Sequence, residues 1–223
     1  LAIEITYLNY LAQQAGGLND AMFNNDPYQS VRSRNWFKVN WLLYNAKFTH
    51  NFSDQTRFSF NFFGLKASRD AIGFRTNRVD QIDSFQERDL IKGTFKNFGF
   101  EPRFLHSYNF LGKKAKILLG GKFYKSSNTS EQGPGSNGID ADFDFQTAQY
   151  IDYKAQSSYK YPNLNTALFG EQIIYLRDNL SITPGFRLEH IKTQSEGYYK
   201  KVFLDAAGNL LLNETTPSNE TRK

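Results

Sequence analysis

Residues 180–190 read LSITPGFRLEH, with Leu180, Ile182, Pro184, Phe186 and Leu188 on one parity and Ser181, Thr183, Gly185, Arg187 and Glu189 on the other. A period of two belongs to a strand with one oily and one wet face. A soluble sheet turns its oily face to a protein core. A membrane barrel turns that face to lipid and keeps its charges inside. The side that holds the oil therefore decides the function class.

The same pattern recurs in long stretches. Residues 2–8 set Ile3, Ile5 and Tyr7 against Glu4 and Thr6. Residues 35–52 begin with Phe37, Val39, Trp41 and Leu43 opposite Lys38 and Asn40, then lose parity at 42–44, which predicts a bulge. Residues 56–66 place Phe58, Phe60 and Phe62 opposite Arg57, Ser59 and Asn61. Residues 94–110 place Phe98, Phe100, Phe104 and Tyr108 opposite Asn97, Glu101, Arg103 and Ser107. Residues 115–124 set Ala115, Ile117, Leu119 and Phe123 against Lys116 and Lys122. Residues 163–176 are strand-like with unassigned faces, and 180–193 complete the set. Pro102 and Pro184 fall on the oily parity, where a missing donor calls for a bulge in any closed ladder.

The connections carry the sharper signal. Three are tight: Ser53–Asp54, Gly112–Lys113 and Arg177–Asn179, each with turn-forming Asp, Asn or Gly. Four are long: roughly 9–34, 68–91, 127–162 and 194 onward. Short and long alternate, which puts every short turn at one end of an up-and-down sheet and every long loop at the other. Outer-membrane barrels are built this way, and loops beyond about 15 residues are uncommon in compact domains. The strands also reach the ~9–11 residues that cross a bilayer at a tilt. The expected fold is all-β, an antiparallel up-and-down transmembrane β-barrel segment with long extracellular loops. On this reading Phe58, Phe60, Phe62, Phe98, Phe100, Phe104, Ile182, Phe186 and Leu188 face lipid.

Composition is compatible with that reading. No run approaches the ~18 apolar residues of a membrane helix, and mean hydropathy is −0.59, as half-polar strands require. Aromatics reach 16% and there is no Cys, so thiolate metal sites and disulfides are excluded. The net charge of +5 comes with no basic run, and on the strands aromatics and charges lie on opposite faces. A nucleic-acid stacking platform would want both on one face.

Candidate binding residues cluster at the long-loop end. Asn19 is placed to cap a short helix over 20–23, ended before Pro27. Arg32 and Arg34 enter one strand, and Arg69, Arg75 and Arg78 lie at the same rim on the next hairpin. Five guanidinium groups near one mouth would bind an anion, because their forks match carboxylates. The competing expectation is interloop pairing with Asp70, Asp80 and Asp83. Asp140, Asp142 and Asp144 have calcium-like spacing but lack the Gly and Glu of a calcium loop. His50, His106 and His190 sit singly in different strands, a placement that suits an interface better than a metal. No nucleophile–base, phosphate-loop or zinc motif is present. Glu171 and Glu189 read more plainly as lumen charges than as an acid–base pair, so no catalytic residue and no enzyme activity is assigned.

Three segments carry a family resemblance: LAQQAGGLNDAMFNNDPYQSVRSRNWF, NFFGLKASRDAIGF and ALFGEQIIYLRDNLSITPGFRLEHIKT. They resemble the barrel of TonB-dependent outer-membrane receptors, nearest to the ferric dicitrate branch of Bacteroidetes-like sequences. The resemblance implies residence in the bacterial outer membrane and a 22-stranded barrel around a plug domain. It also implies capture of ferric citrate or a ferric siderophore at the loops, and import driven by TonB. Iron would enter only as part of the chelate, with no resident cofactor or metal. The expected partners are the chelate, the TonB complex, the receptor's own plug, and outer-membrane lipid or lipopolysaccharide. Residues 1–223 would form a partial barrel domain of seven or eight strands, with plug and C-terminal strands outside it, and an open sheet. Two other readings stand beside this one: a soluble or surface-exposed β-rich module that binds glycans or mediates adhesion, and a barrel enzyme of phospholipase type, which would need a Ser–His pair.

Overall fold

The computed structural model describes residues 1–76, 78–177 and 179–222. One antiparallel sheet contains every strand: β1 (Ala2–Gln13), β2 (Trp36–Asn51), β3 (Thr56–Gly73), β4 (Asp89–Phe110), β5 (Lys113–Pro134), β6 (Ser157–Arg177), β7 (Leu180–Ile182), β8 (Gly185–Leu204) and β9 (Leu210–Arg222). The spatial order is β1-β2-β3-β4-β5-β6-β8-β9, with β7 beside β6. The order follows the chain, except that β7 and β8 both pair with β6 rather than with each other. The sheet is open, with β1 and β9 at its edges. Among the described elements the one helix, α1 (Asp20–Asn25), is capped as expected: the Asn19 side chain accepts from the Met22 N–H at 2.9 Å.

Register gathers the oily residues onto one face. Phe58 faces Phe104, and Phe62 faces Phe100, on β3 and β4. Phe104 faces Leu119, and Phe100 faces Phe123, on β4 and β5. The row continues through Leu168–Leu188 and Gly170–Phe186 on β6 and β8, and through Ile174–Ile182 on β6 and β7. On the other side Phe60 faces Phe48, and Ala46 faces Ile3. Rings stack across strands: Phe60 on Phe100 at 5.8 Å and Phe100 on Phe123 at 5.2 Å. Asn61, Glu101, Arg103, Lys122, Arg187 and Glu189 share the opposite face by the same register. No second protein layer among the described elements covers the aromatic rows. The substantial contacts between strands are all between sheet neighbours, and Leu188 is 65% exposed. A soluble sandwich would have sealed them.

The structure corrects four expectations. First, β2 has no bulge. Its register with β1 and β3 is continuous, and the apparent loss of parity is a change of environment. Leu42, Tyr44, Ala46 and Phe48 lie on the oily face, whereas Phe37, Val39 and Trp41, nearer the long loops, lie on the other. Second, the prolines need no bulge. The β4–β5 ladder opens at Pro102, yet Phe100–Phe123 and Arg103–Gly120 on either side keep one register. Pro184 separates β7 from β8 without shifting the pairing to β6 across it. Each proline forfeits a donor locally and leaves the alignment intact. Third, the long connection expected after 194 is a hairpin: β8 runs on to Leu204 and turns through 205–209 into β9. Short and long connections therefore alternate only as far as β8. Fourth, the loops are shorter than expected, because β3, β4, β5 and β6 extend past the oily band.

Turns at the other end are tight. Between β4 and β5 only Leu111 and Gly112 intervene, both with positive φ (51° and 74°), the backbone of a type I′ turn. The turn expected at Arg177–Asn179 connects β6 to β7, and its central Asp178 lies outside the described residues. Left-handed backbone costs an L-residue about 1–2 kcal/mol. Gly112→Val should therefore lower, and Leu111→Asn raise, the urea midpoint of the full-length protein in micelles; equal midpoints would show that this turn does not limit stability.

Candidate functional site

The long-loop end is where buried side chains concentrate. Val39, Ile72 and Leu90 are each at most 2% exposed. They lie under three loops, 14–35, 74–88 and 135–156, that three arginines tie together.

Arg34 is the hub. Its Nε and Nη2 donate to the two Asp83 carboxylate oxygens at 2.8 and 2.5 Å. Its Nη1 donates to the carbonyls of Gln86 and Asn137 at 3.1 and 2.9 Å. The guanidinium lies 4.9 Å from the Phe85 ring centre. Phe85 sits at φ 55°, an uncommon conformation for a bulky residue, held by its N–H donating to Asp83 at 2.9 Å. Arg88 donates to the carbonyls of Ser136, Arg34 and Asp140 at 2.9, 3.0 and 2.7 Å, and to the Ser136 hydroxyl at 2.7 Å. Arg32 bonds the carbonyls of Arg78 and Val79 at 3.1 and 3.2 Å. Each loop thus receives charge-assisted bonds from another loop's arginine.

These contacts revise the expected anion ring. Arg32 and Arg34 are 6% and 0% exposed, and protein acceptors occupy their guanidinium groups, so they hold loops together. Arg78 is exposed and pairs with Asp80 at 2.8 Å. The interloop pairing weighed as the alternative is realised for Arg34–Asp83, and a local pairing for Arg78–Asp80. Arg69 and Arg75 remain: both are exposed, and neither has an ion pair among the described residues. Arg69 faces Val39 across β2–β3, on the ionic face.

Loop 135–156 straddles the strand ends. On the aromatic face, the Phe143 carbonyl accepts from Lys92 Nζ at 3.1 Å, and the Phe145 ring lies 5.8 Å from the same ammonium. On the ionic face, the Tyr153 hydroxyl donates to Asp89; burial, then the adjacent carboxylate, push that phenol upward. Asp140, Asp142 and Asp144 do not converge on a cation site. Asp140 sits 3.7 Å from Arg88, and Asp142 accepts the Asp144 N–H. Among the described residues no three His, Asp or Glu side chains gather to hold a metal. His106 accepts or donates at Thr56 (2.8 Å) and stacks near Phe104 and Tyr108. Arg88, Tyr153 and Phe143 were missed in the sequence because their partners lie about fifty residues or more away.

Below the mouth, the ionic face carries its own aromatic contacts. Phe169 lies between Arg103 and Arg187, at 5.9 and 5.6 Å. Gly120 makes room for it, since a Cβ there would meet the ring at 2.3 Å. Glu189 accepts from Arg187 at 2.9 Å and from Asn165 at 3.0 Å.

Residues 3–218 match the family described as TonB dependent receptor-like, beta-barrel. The chain belongs to that family. TonB-dependent receptors form an outer-membrane family of receptors and transporters. The fold is similar to the crystal structure of the ferric citrate transporter FecA in the unliganded form, with a TM-score of 0.65 at 18% identity. The match covers 97% of this chain and 29% of that one, so the chain spans less than a third of that receptor's length. At this identity the likeness is one of fold. None of the curated proteins matches.

Two outcomes test the loop lock. Removing one partner of a buried ion pair costs about 3–5 kcal/mol. Arg34→Ala should therefore speed hydrogen exchange at 83–88 and 135–140 about a hundredfold or more, and Arg34→Met with Asp83→Leu should restore most of the protection. For pH, burial raises the Asp83 carboxyl, but the Arg34 bonds and the Phe85 N–H outweigh it and bring the group below its ordinary value. Its contribution is then complete above about pH 4 and is lost as pH falls through the lower folded value. Loop protection factors, taken against the intrinsic exchange rate at each pH, should hold at pH 5 and fall below pH 4; a fall already between pH 7 and 5 would assign the lock to another group.

Proposed function

We propose that the chain is a wall segment of an outer-membrane receptor that imports a ferric chelate, ferric citrate or a siderophore, with energy delivered by TonB. One observation carries this reading: aromatic and aliphatic rows run across the sheet on a face that no other described element covers, while ionic residues share the other. Water would not tolerate so large an apolar face on a monomer; hydrocarbon favours it. On β4 the row from Phe98 to Tyr108 spans roughly 33 Å of strand. At the ~35–45° tilt of such barrels this rises about 25 Å, the height of their apolar band.

In this reading the ionic face lines the interior, where Phe169 and its flanking arginines meet a plug. The rest of the wall and the plug come from the remainder of a longer receptor, consistent with the 29% of the FecA chain that is covered. Residues 1–223 are then one partial barrel domain. The loops tied by Arg32, Arg34 and Arg88 form a firm extracellular rim. Arg69 and Arg75 offer the chelate unspent positive charge, and Arg78 does so only after parting from Asp80. Iron passes as cargo, and the segment takes part in no catalysis and meets no nucleic acid.

Single cysteines at Phe60 and Asn61 of the full-length receptor test the orientation. A fluorophore at 60 should be quenched by nitroxide-labelled lipid and one at 61 should not; the reverse would overturn the membrane reading. Arg69→Ala with Arg75→Ala should weaken ferric citrate binding about tenfold, the ~1.4 kcal/mol reasonable for two solvent-screened charge contacts. Unchanged affinity and uptake would remove both from the site.

A further inference from the structure

Asn137 and Gly138 form the one Asn-Gly pair in the sequence, and they lie where loop 135–156 enters the arginine lock. The Asn137 side chain is exposed. Among the described residues the Gly138 N–H donates to no acceptor. In such a pair the main-chain nitrogen can reach back to the preceding side-chain carbonyl and close a five-membered imide, because glycine puts no Cβ in the way. At Gly138 the space is needed for a second reason: a Cβ there would meet the Asp140 carboxylate at 2.7 Å.

The carbonyl between the two residues is the one that Arg34 holds. Nη1 donates to it at 2.9 Å, from a side chain that is 0% exposed. The other bond from Nη1 goes to the Gln86 carbonyl, while Asp83 occupies Nε and Nη2 on the opposite edge of the guanidinium. That Asn137 carbonyl and the Gly138 N–H belong to one peptide group. When the N–H loses its proton, the negative charge spreads onto the oxygen beside Arg34. A fixed donor on a buried cation favours such developing charge more than water does. Arg88 pins the residues on either side, donating to the Ser136 and Asp140 carbonyls at 2.9 and 2.7 Å. The Asp140 carboxylate, which would oppose a second negative charge, lies 3.7 Å from Arg88.

We propose that Asn137 is a self-modifying site, converted to isoaspartate with Arg34 as the activating group. The Gly138 nitrogen gives its proton to hydroxide and bonds to Cγ of Asn137. The Cγ–Nδ2 bond breaks, and ammonia leaves with a proton from water, which restores the hydroxide. The imide keeps the oxygen held by Arg34 as one of its two carbonyls. Water adds at that polarised main-chain carbon, the bond to the Gly138 nitrogen breaks, the nitrogen takes up a proton and the new acid ionises. The chain then runs through Cγ, with one water consumed and one ammonia released. The new carboxylate remains on Arg34 as a charge-assisted pair. The loops therefore stay tied while the rim loses one positive charge. This inference stands apart from the membrane orientation.

The test incubates the full-length protein in mildly alkaline buffer over days, beside a synthetic peptide of residues 131–144. Peptide mapping and isoaspartyl methylation follow position 137. The folded protein should form isoaspartate about tenfold faster than the peptide, the factor expected of one charge-assisted hydrogen bond. Its ratio of isoaspartate to aspartate should also be higher, because Arg34 directs water to one carbonyl. Arg34→Met with Asp83→Leu, the pair of changes expected to keep the loops closed, should bring rate and ratio down to those of the peptide. Asn137→Gln should abolish the product at this position. No isoaspartate in the folded protein, a rate at or below that of the peptide, or a double variant as fast as the parent would each overturn the proposal. If the double variant does not fold, the comparison of parent with peptide decides alone.

Discussion

The backbone ladder is the constraint on which the rest depends. A sheet exposed to hydrocarbon has no water to satisfy an N–H or C=O, so each must find a partner on a neighbouring strand. Here one register runs from β1 to β6 and on to β8, and it survives the prolines at 102 and 184. That continuity has a direct consequence for side chains. With a period of two, a slip of one residue anywhere would turn a phenylalanine row inward and a charged row outward. The prolines show the tolerance: the ladder opens locally without losing register, and the register shifts fall beside turns, at Tyr175/Arg177 and Phe203/Leu204.

Once register is set, height along the strand decides what each face must do. β2 shows this in one element. Near the short turns its oily residues are Tyr44, Ala46 and Phe48, on the oily face. Near the loops they are Phe37, Val39 and Trp41, on the opposite side, and Lys38 and Asn40 take the outer positions. Beyond the band the outer face meets water and loop residues, so the preference reverses without any backbone irregularity. Lys66 and Lys96, on the oily face, mark the height at which this reversal begins.

That reversal also explains which parts of the structure were legible in the sequence. The alternation in 56–66, 94–110, 115–124 and 180–190 reads directly as strands, because each lies within the band where one face is uniformly oily. The blurred parity at 42–44 looks like a bulge only if one environment is assumed along the strand. The strand extensions at 67–73, 125–134 and 194–204, and β9, carry polar residues on both faces, so they lack the signal and resemble loops. The cap at Asn19 and the turn at Gly112 are local chemistry and were readable. The arginine lock was not. Arg34 meets Asn137 and Arg88 meets Asp140 across three loops, and no short-range pattern encodes such pairs.

The lock changes how the mouth should be understood. Proximity of five arginines to a rim suggests a ring of ligand contacts, but a guanidinium presents five donors, and burial without filling them is costly. Arg32 and Arg88 are filled mainly by backbone carbonyls, which solvate the charge without cancelling it, whereas Arg34 gives two of its four bonds to the Asp83 carboxylate. Positive potential therefore persists beneath the loops even though these side chains cannot touch a ligand. Burial, and then the nearby Arg34 charge, lower the Arg88 guanidinium below its ordinary value, the sign expected where cations are crowded together. A partly uncompensated cationic rim attracts anions before contact. Arg69 and Arg75 differ in kind from the buried arginines: both are exposed and neither has an ion pair among the described residues. Arginines at one rim thus divide into buried ones that hold the loops and exposed ones whose charge faces solvent.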